Sequence, residues 1–482
     1  MPNTGANAYP SRYRWLGLLG SLALAAGALT AGARPAADTG PTLRASGGAG
    51  TILVFAGIAA LTAAWLLLGR PEPGQPPPGT RWLTTTLAWW AAPLLLLPPL
   101  FSRDVYSYLA QGAMLAHGLD VYTHGPADLG GPTAAQIPPV WQHTPAPYGP
   151  AFLLLARAAA PLAEHPWAGT LVLRLAAVLA VAALAALLPA LARTFGADPA
   201  AALRLGALNP LVLLHLIAGA HNDAPMAALL LGGLLAAARR HAALGAALVT
   251  LAALVKAPAA LALPVVLLLA TADRDRPAQL LTAARAVAAT ALTVAAVTAA
   301  AGTGYGWIAA LTTPATSTSW SLTSSLGRLA ADLTGTAPDG AVTAARMLGL
   351  ACAAGTIGVL AWRVARRQGD PMTALAVAFA ALVVLGPAFR PWYALWAVLP
   401  AACTVRTPAV RTPDVRTSVV RTSPVHRSIE LWCAALAFSV MPDGFSPDGA
   451  ELLLAVGGFV LGAAAVLAAE RGTAFRQRQL AC

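Results

Sequence analysis

The chain has 482 residues, of which 57% are hydrophobic and only 10% charged, with a mean hydropathy of +0.66 and a formal net charge of +12. So few charges cannot solvate the surface of a soluble protein of this length, and nearly uncharged stretches long enough to cross a hydrocarbon core recur throughout. The positive balance comes from arginines clustered between apolar stretches, which is a topology signal held on the cytoplasmic side and points away from nucleic acid as a partner.

Apolar runs predict spans near Trp15–Ala33, Thr51–Leu68 and Leu83–Leu100. The first follows Arg12 and Arg14 and ends in Ala31-Gly32-Ala33, a passable signal-peptide cleavage site. Its length and the spans after it favour an uncleaved anchor. A proline-rich linker runs from Arg70 to Gly79, and with Arg81 it suits the cytoplasm. Three crossings from an inside N-terminus leave Ser102–Pro150 outside. Further spans are predicted near Ala168–Leu191, Leu203–Ala220, Pro225–Ala238, Ala242–Val255, Pro258–Ala270, Leu280–Ala301, Ala341–Trp362, Met372–Pro387, Trp392–Ala402, Ile429–Met441 and Leu452–Ala469.

The expected architecture is therefore an all-α polytopic membrane protein of about 13–15 transmembrane helices. It divides into N-terminal spans (1–100), an extracytoplasmic loop (101–150), a transmembrane core (151–404), a basic low-complexity loop (405–428) and C-terminal spans with a tail (429–482). Gly149–Leu162 is apolar but short. If it dips into the membrane without crossing, the later arginine clusters all fall inside, which is the arrangement the charges favour. Val405–Val425 repeats Val-Arg-Thr every five residues (Arg406, Arg411, Arg416, Arg421) and reads as a disordered cytoplasmic segment against anionic lipid. Cys352, Cys403, Cys433 and Cys482 show neither metal-ligand nor disulfide spacing.

The outside loop opens FSRDVYSYLAQGAMLAHGLD. As a helix it places Val105, Tyr108, Leu109, Gly112, Leu115 and Ala116 on an apolar stripe, with Asp104, Ser107 and Gln111 opposite. Such a helix would rest in the membrane interface and turn its first residues to a cleft. Asp104 could be a helix-terminal acid paired with Arg103. The neighbouring Tyr106, Tyr108, Tyr122, His124, Trp141 and His143 instead suggest a general base in a ligand site. The loop closes on Trp141–Pro150, whose prolines carry Trp141, His143 and Tyr148 as a platform for sugar C–H faces or for an interfacial belt.

Other polar residues fall on the same side. His221-Asn222-Asp223 sits between two apolar runs, and Asp223 is placed to cap the next helix while the trio could hydrogen-bond a polar ligand. Lys256, the chain's single lysine, interrupts an apolar segment and is a candidate counter-charge for phosphate. Arg390, in Phe389-Arg390-Pro391-Trp392-Tyr393, is a second isolated cation among aromatics. The polar run Thr312–Ser325 would loop over the same mouth. An acid to deprotonate a hydroxyl and two cations to hold a leaving phosphate make a transferase site. No Walker motif, GxGxxG or HExxH occurs, so no cofactor and no metal is expected.

SRDVYSY, the Trp141–Pro150 turn, NPLVLLHLIAGAHNDAPM, LAALVKAPAALALP and FRPWYALW, in that order from Phe101 to Trp396, resemble the actinobacterial polyprenol-phosphomannose-dependent α-1,6-mannosyltransferases of the MptB type, in the GT-C superfamily. The resemblance implies the GT-C fold, a polyprenyl-phosphate mannose donor, a mannan or lipomannan-type glycolipid acceptor in the outer leaflet, and an inverting transfer in one displacement. It implies Asp104 as general base; the residues themselves offer Arg103, His221, Asn222, Asp223, Lys256 and Arg390 for the donor phosphate and sugar, and Tyr106, Tyr108, Trp141, His143, Tyr148, Trp392 and Tyr393 as the acceptor platform. The five-residue repeat after Cys403 departs from the family pattern. Two other classes stay open: a GT-C enzyme using another lipid-linked sugar or a protein acceptor, and a secondary transporter, which would need paired intramembrane charges and inverted repeats.

Overall fold

The computed structural model describes residues 11–33, 47–70, 77–272, 274–312, 319–406 and 424–480. Helices account for all the regular structure, with no strand among the described residues. Among the described residues, six helices are long and apolar enough to cross a membrane alone: Ser11–Ala31, Gly47–Leu68, Pro166–Thr194, Arg276–Ala301, Pro338–Ala365 and Gly449–Arg471. Shorter apolar helices cover Asp223–Ala238, Ala242–Val255, Ala257–Thr271 and Pro371–Leu385. The chain is an all-α polytopic membrane protein. The central part of the proline-rich linker, most of the arginine repeat and the Thr313–Thr318 part of the polar run lie outside the described residues.

Several expected spans are broken at prolines, which lack the amide hydrogen that a helix needs. Leu83–Leu100 is helical only as Thr80–Ala91, then tightens into a 3-10 turn at Ala92–Leu94 and runs irregularly through Pro98 and Pro99. Leu203–Ala220 divides at Asn209-Pro210 into the helix Pro199–Leu205 and a π-helix, Val212–Ala218. At that break Asn209 accepts the Leu211 amide and donates to the Leu205 carbonyl and Cys433 Sγ. Irregular backbone of this kind persists in a membrane protein only where protein satisfies it. Pro150–Ala158 has nine residues, about 14 Å of helix against a core of about 30 Å, too short to span alone.

The chain forms two compact units. The first comprises Met1–Val105, Leu203–His221 and Arg406–Cys482. Here glycines bring backbones together: a Cβ on Gly20 would lie 2.8 Å from the Gly57 carbonyl oxygen, and one on Gly27 2.5 Å from that of Gly50. The helices Ser11–Ala31 and Gly47–Leu68 therefore pack as small-residue transmembrane pairs do. Arg204 and Glu430 form a buried ion pair, and Trp65 Nε1 donates to the Arg204 carbonyl at 2.8 Å.

The second unit comprises Tyr106–Ala202 and Asn222–Val405. Gly233 and Gly245 bring Asp223–Ala238 and Ala242–Val255 together in the same manner. Val121 and Ala146 of the loop 117–149 form a small core with Met114 and Leu153 of the helices that flank it. Tyr122 donates to the Tyr148 carbonyl at 2.9 Å, and burial raises its hydroxyl pKa, so it stays a neutral donor. Gly149 ends the loop against the Leu254 carbonyl, 2.2 Å from an ideal Cβ, which admits glycine alone and fixes the loop's end two residues before Lys256.

Candidate active site

In the first unit, the helix Asp104–Ala116 begins at the expected acid. Ser102 Oγ accepts the Asp104 amide at 3.0 Å, so Ser102 supplies the terminal contact and the Asp104 carboxylate is available to another partner. That partner is His221, whose Nδ1 lies 3.5 Å from Asp104 Oδ2; the His221 side chain is fully buried and that of Asp104 is 32% exposed. Strained backbone stands on both sides of the pair. Phe101 has φ +66° and Ala220 φ +52°, both non-glycine residues in left-handed conformation, each costing on the order of 1–3 kcal/mol. Phe101 is fixed by donating its amide to the Pro442 carbonyl at 2.9 Å and by an edge contact with His215. Ala220 turns the chain out of the π-helix so that the His221 amide reaches back to the His215 carbonyl at 3.2 Å. Arg103 lies over the Phe445 ring, 4.9 Å from its centroid.

In the second unit, Asp223 opens the helix Asp223–Ala238 but does not cap it. The capping position is Asn222, without a side-chain capping bond. Instead Asp223 Oδ2 accepts from Lys256 Nζ at 2.8 Å and Oδ1 from Trp396 Nε1 at 2.7 Å. The acid side chain is 1% exposed. Lys256 Nζ also lies 4.6 Å from the centre of the Tyr393 ring, which stacks on Trp396 at 4.3 Å. The expected isolated cation is thus one half of a buried ion pair capped by aromatics, the environment in which a buried charge is tolerated. Arg390 differs: half-buried, it makes no ion pair or side-chain hydrogen bond among the described residues.

The aromatic platform is smaller than expected. Tyr106, Tyr108 and Trp392 are buried and cannot present faces to a sugar. Tyr108 packs edge-on against Tyr148 and Phe152 and donates to Asn222 Oδ1 at 3.4 Å. Ser107 and Gln111 are buried too, so the polar face of this helix meets protein where a headgroup layer was expected. Trp141, Tyr148 and Tyr393 remain partly exposed and His143 is exposed; Trp141 and His143 make no ring contact with the cluster among the described residues. Two residues escaped the sequence reading. Trp396 resembles a membrane-belt tryptophan until its bond to Asp223 is seen. Arg174, 1% exposed within Pro166–Thr194 and in electrostatic reach of Tyr106, carried a signal in its charge inside an apolar span.

Residues 14–272 match the family model described as alpha-(1->6)-mannopyranosyltransferase, N-terminal domain, and residues 317–469 match the MptB C-terminal domain. The chain is 36% identical to alpha-(1->6)-mannopyranosyltransferase A of Mycobacterium tuberculosis over 73% of its own length and 70% of that relative. It is 33% identical to alpha-(1->6)-mannopyranosyltransferase B of Corynebacterium glutamicum over 81% of its length and 73% of that relative. The chain belongs to the alpha-(1->6)-mannopyranosyltransferase family. It is therefore a glycosyltransferase, as the sequence motifs implied. No solved structure matches it. The Lys256–Asp223 pair is the kind of paired charge a transporter would need, but membership of this family assigns it to a transferase. Asp104, His221, Asp223 and Lys256 fall within the N-terminal match, and Arg390, Tyr393 and Trp396 within the C-terminal one. The cluster on Asp223 thus joins residues from both segments of the family.

Proposed function

We propose that the chain transfers mannose from polyprenyl-phosphate mannose to a mannan or lipomannan-type glycolipid acceptor, forming an α-1,6 linkage with inversion on the outer face of the plasma membrane, within a GT-C fold. Asp104 takes the proton of the acceptor hydroxyl as its oxygen attacks the anomeric carbon. The bond from that carbon to the phosphate oxygen breaks, and the electron pair leaves on the phosphate. One displacement inverts the β-linked donor, so one base suffices and no covalent partner is needed. Arg390, with Arg103, carries the leaving phosphate, because arginine matches its oxygens in fork geometry. Asn222, 2% exposed and accepting from Tyr108, supports that ring and does not touch the donor, while Trp141, His143, Tyr148 and Tyr393 receive the acceptor.

The observation that carries this reading is the contrast between the acids. Asp104 keeps 32% of its side chain accessible, whereas Asp223 is 1% exposed with both oxygens engaged. Only the first can meet a hydroxyl. Lys256 is matched within the protein, so its part in donor binding runs through holding Asp223 and Trp396 in place.

Membranes containing the protein, given polyprenyl-phosphate mannose and a short α-mannoside, are expected to extend the acceptor, and Asp104→Asn is expected to slow extension by about 10²- to 10⁴-fold. Transfer that keeps its rate after the substitution overturns the base. Failure with this donor, beside success with polyprenyl-phosphate glucose, overturns the donor.

A further inference from the structure

His221 was expected on the donor; its geometry assigns it elsewhere. We propose that His221 is a positioning residue for Asp104: its Nδ1–H holds Oδ2 and so fixes the orientation of the carboxylate that meets the acceptor hydroxyl. This rests on the reading of Asp104 as the base and extends it with a residue that touches neither substrate nor leaving group.

Three features lead here. The Nδ1–Oδ2 separation is 3.5 Å, within ion-pair reach and at the long end for a hydrogen bond, as catalytic contacts commonly are before substrate tightens them. The imidazole is fully buried while the carboxylate it faces is not, so the histidine can orient the acid but cannot itself reach a substrate in this conformation. The backbone is shaped for the contact from both ends. Left-handed Phe101 lies three residues before Asp104, and left-handed Ala220 immediately precedes His221. The π-helix Val212–Ala218 ends in the turn that returns the His221 amide to His215. π-Helices and strained non-glycine residues are retained where a side chain must be aimed. Gly219 completes the fit, since a Cβ there would stand 3.0 Å from His221 Cδ2 and 3.2 Å from the Leu100 carbonyl oxygen.

The chemistry favours restraint over proton transfer. A carboxylate free to rotate about χ2 spends most of its time misaligned, and a misplacement of about 1 Å can cost about 100-fold in rate. One N–H fixed on one oxygen removes that freedom and holds the carboxylate in one orientation.

The test uses which nitrogen is needed. An asparagine side-chain amide superposes on Nδ1 of histidine and a glutamine amide on Nε2. In full-length protein in membranes, with polyprenyl-phosphate mannose and an α-mannoside acceptor, His221→Ala is expected to lower kcat about 10- to 100-fold while KM for the donor changes by less than about threefold. His221→Asn is expected to recover most of that loss and His221→Gln little of it. Adding His221→Ala to Asp104→Asn is expected to lower the residual rate no further. Recovery by Gln and not by Asn overturns the proposal, as does a donor KM that rises while kcat holds, which would return His221 to the donor. Should the alanine variant fail to accumulate, the Asn and Gln pair decides. An active Asp104→Asn enzyme would instead overturn the base itself, and a dead one beside a fully active His221→Ala would overturn the positioning role alone.

Discussion

Asp104 and Asp223 each stand at the first residue of a helix, where the dipole favours a negative charge, yet their surroundings are opposite. Asp223 is sealed by an ammonium and an indole N–H, 1% exposed and with its charge matched. Asp104 has a histidine at 3.5 Å and a third of its surface open. A buried carboxylate with both oxygens satisfied stabilises architecture, whereas an accessible one can meet a hydroxyl and accept its proton. The difference teaches that position in a helix does not decide an acid's work. The neighbours that fold around it do.

The sharpest way to break this contrast is to remove each charge in turn. Asp104→Asn is expected to lower turnover by about 10²- to 10⁴-fold, the usual contribution of a general base, with little change in thermal stability. Lys256→Met should do the reverse. Stranding Asp223 in a 1% exposed site is expected to cost about 3–5 kcal/mol, read as a fall in the unfolding midpoint in detergent. Lys256→Met with Asp223→Asn should recover much of that stability, because no unmatched charge remains. If the double variant is stable and still transfers mannose, Lys256 belongs to the architecture. If it is stable and inactive, Lys256 touches the donor.

Arg390→Gln should fall between these extremes. Losing a cation that the protein leaves unmatched is expected to raise the donor KM by about tenfold, near 1.4 kcal/mol, while the midpoint stays put. A drop in stability of the size seen for Lys256→Met would place Arg390 with the sealed cluster.

Much of the fold was legible because it follows from local chemistry. Apolar runs located the long helices, and Pro93, Pro98, Pro99 and Pro210 mark where they break. The head of the helix at Asp104 was legible too. The sealed cluster was not, since its partners stand 33 and 173 residues from Asp223 and periodicity carries no information at such range. Nothing in the sequence around Trp396 marks it as a partner of Asp223. The left-handed turns at Phe101 and Ala220 were also invisible, because nothing in either side chain favours positive φ; the fold imposes it. The burial of Tyr108 and Gln111 shows the same limit: an amphipathic stripe says which face is apolar but not whether the polar face meets water or protein.

The smallest expected effect tests whether the buried aromatics are support or platform. Tyr108 is 1% exposed, packed edge-on against Tyr148 and Phe152, with its hydroxyl 3.4 Å from Asn222 Oδ1. Tyr108→Phe keeps the ring and the packing and deletes one long hydrogen bond, so the expected stability loss is about 0.5–1.5 kcal/mol. Acceptor KM should stay within about twofold, because a ring enclosed by two others offers no face to a sugar. A rise in acceptor KM with no change in the unfolding midpoint would mean that this helix opens during the reaction, and the tyrosine would rejoin Tyr148 and Tyr393 on the acceptor's path.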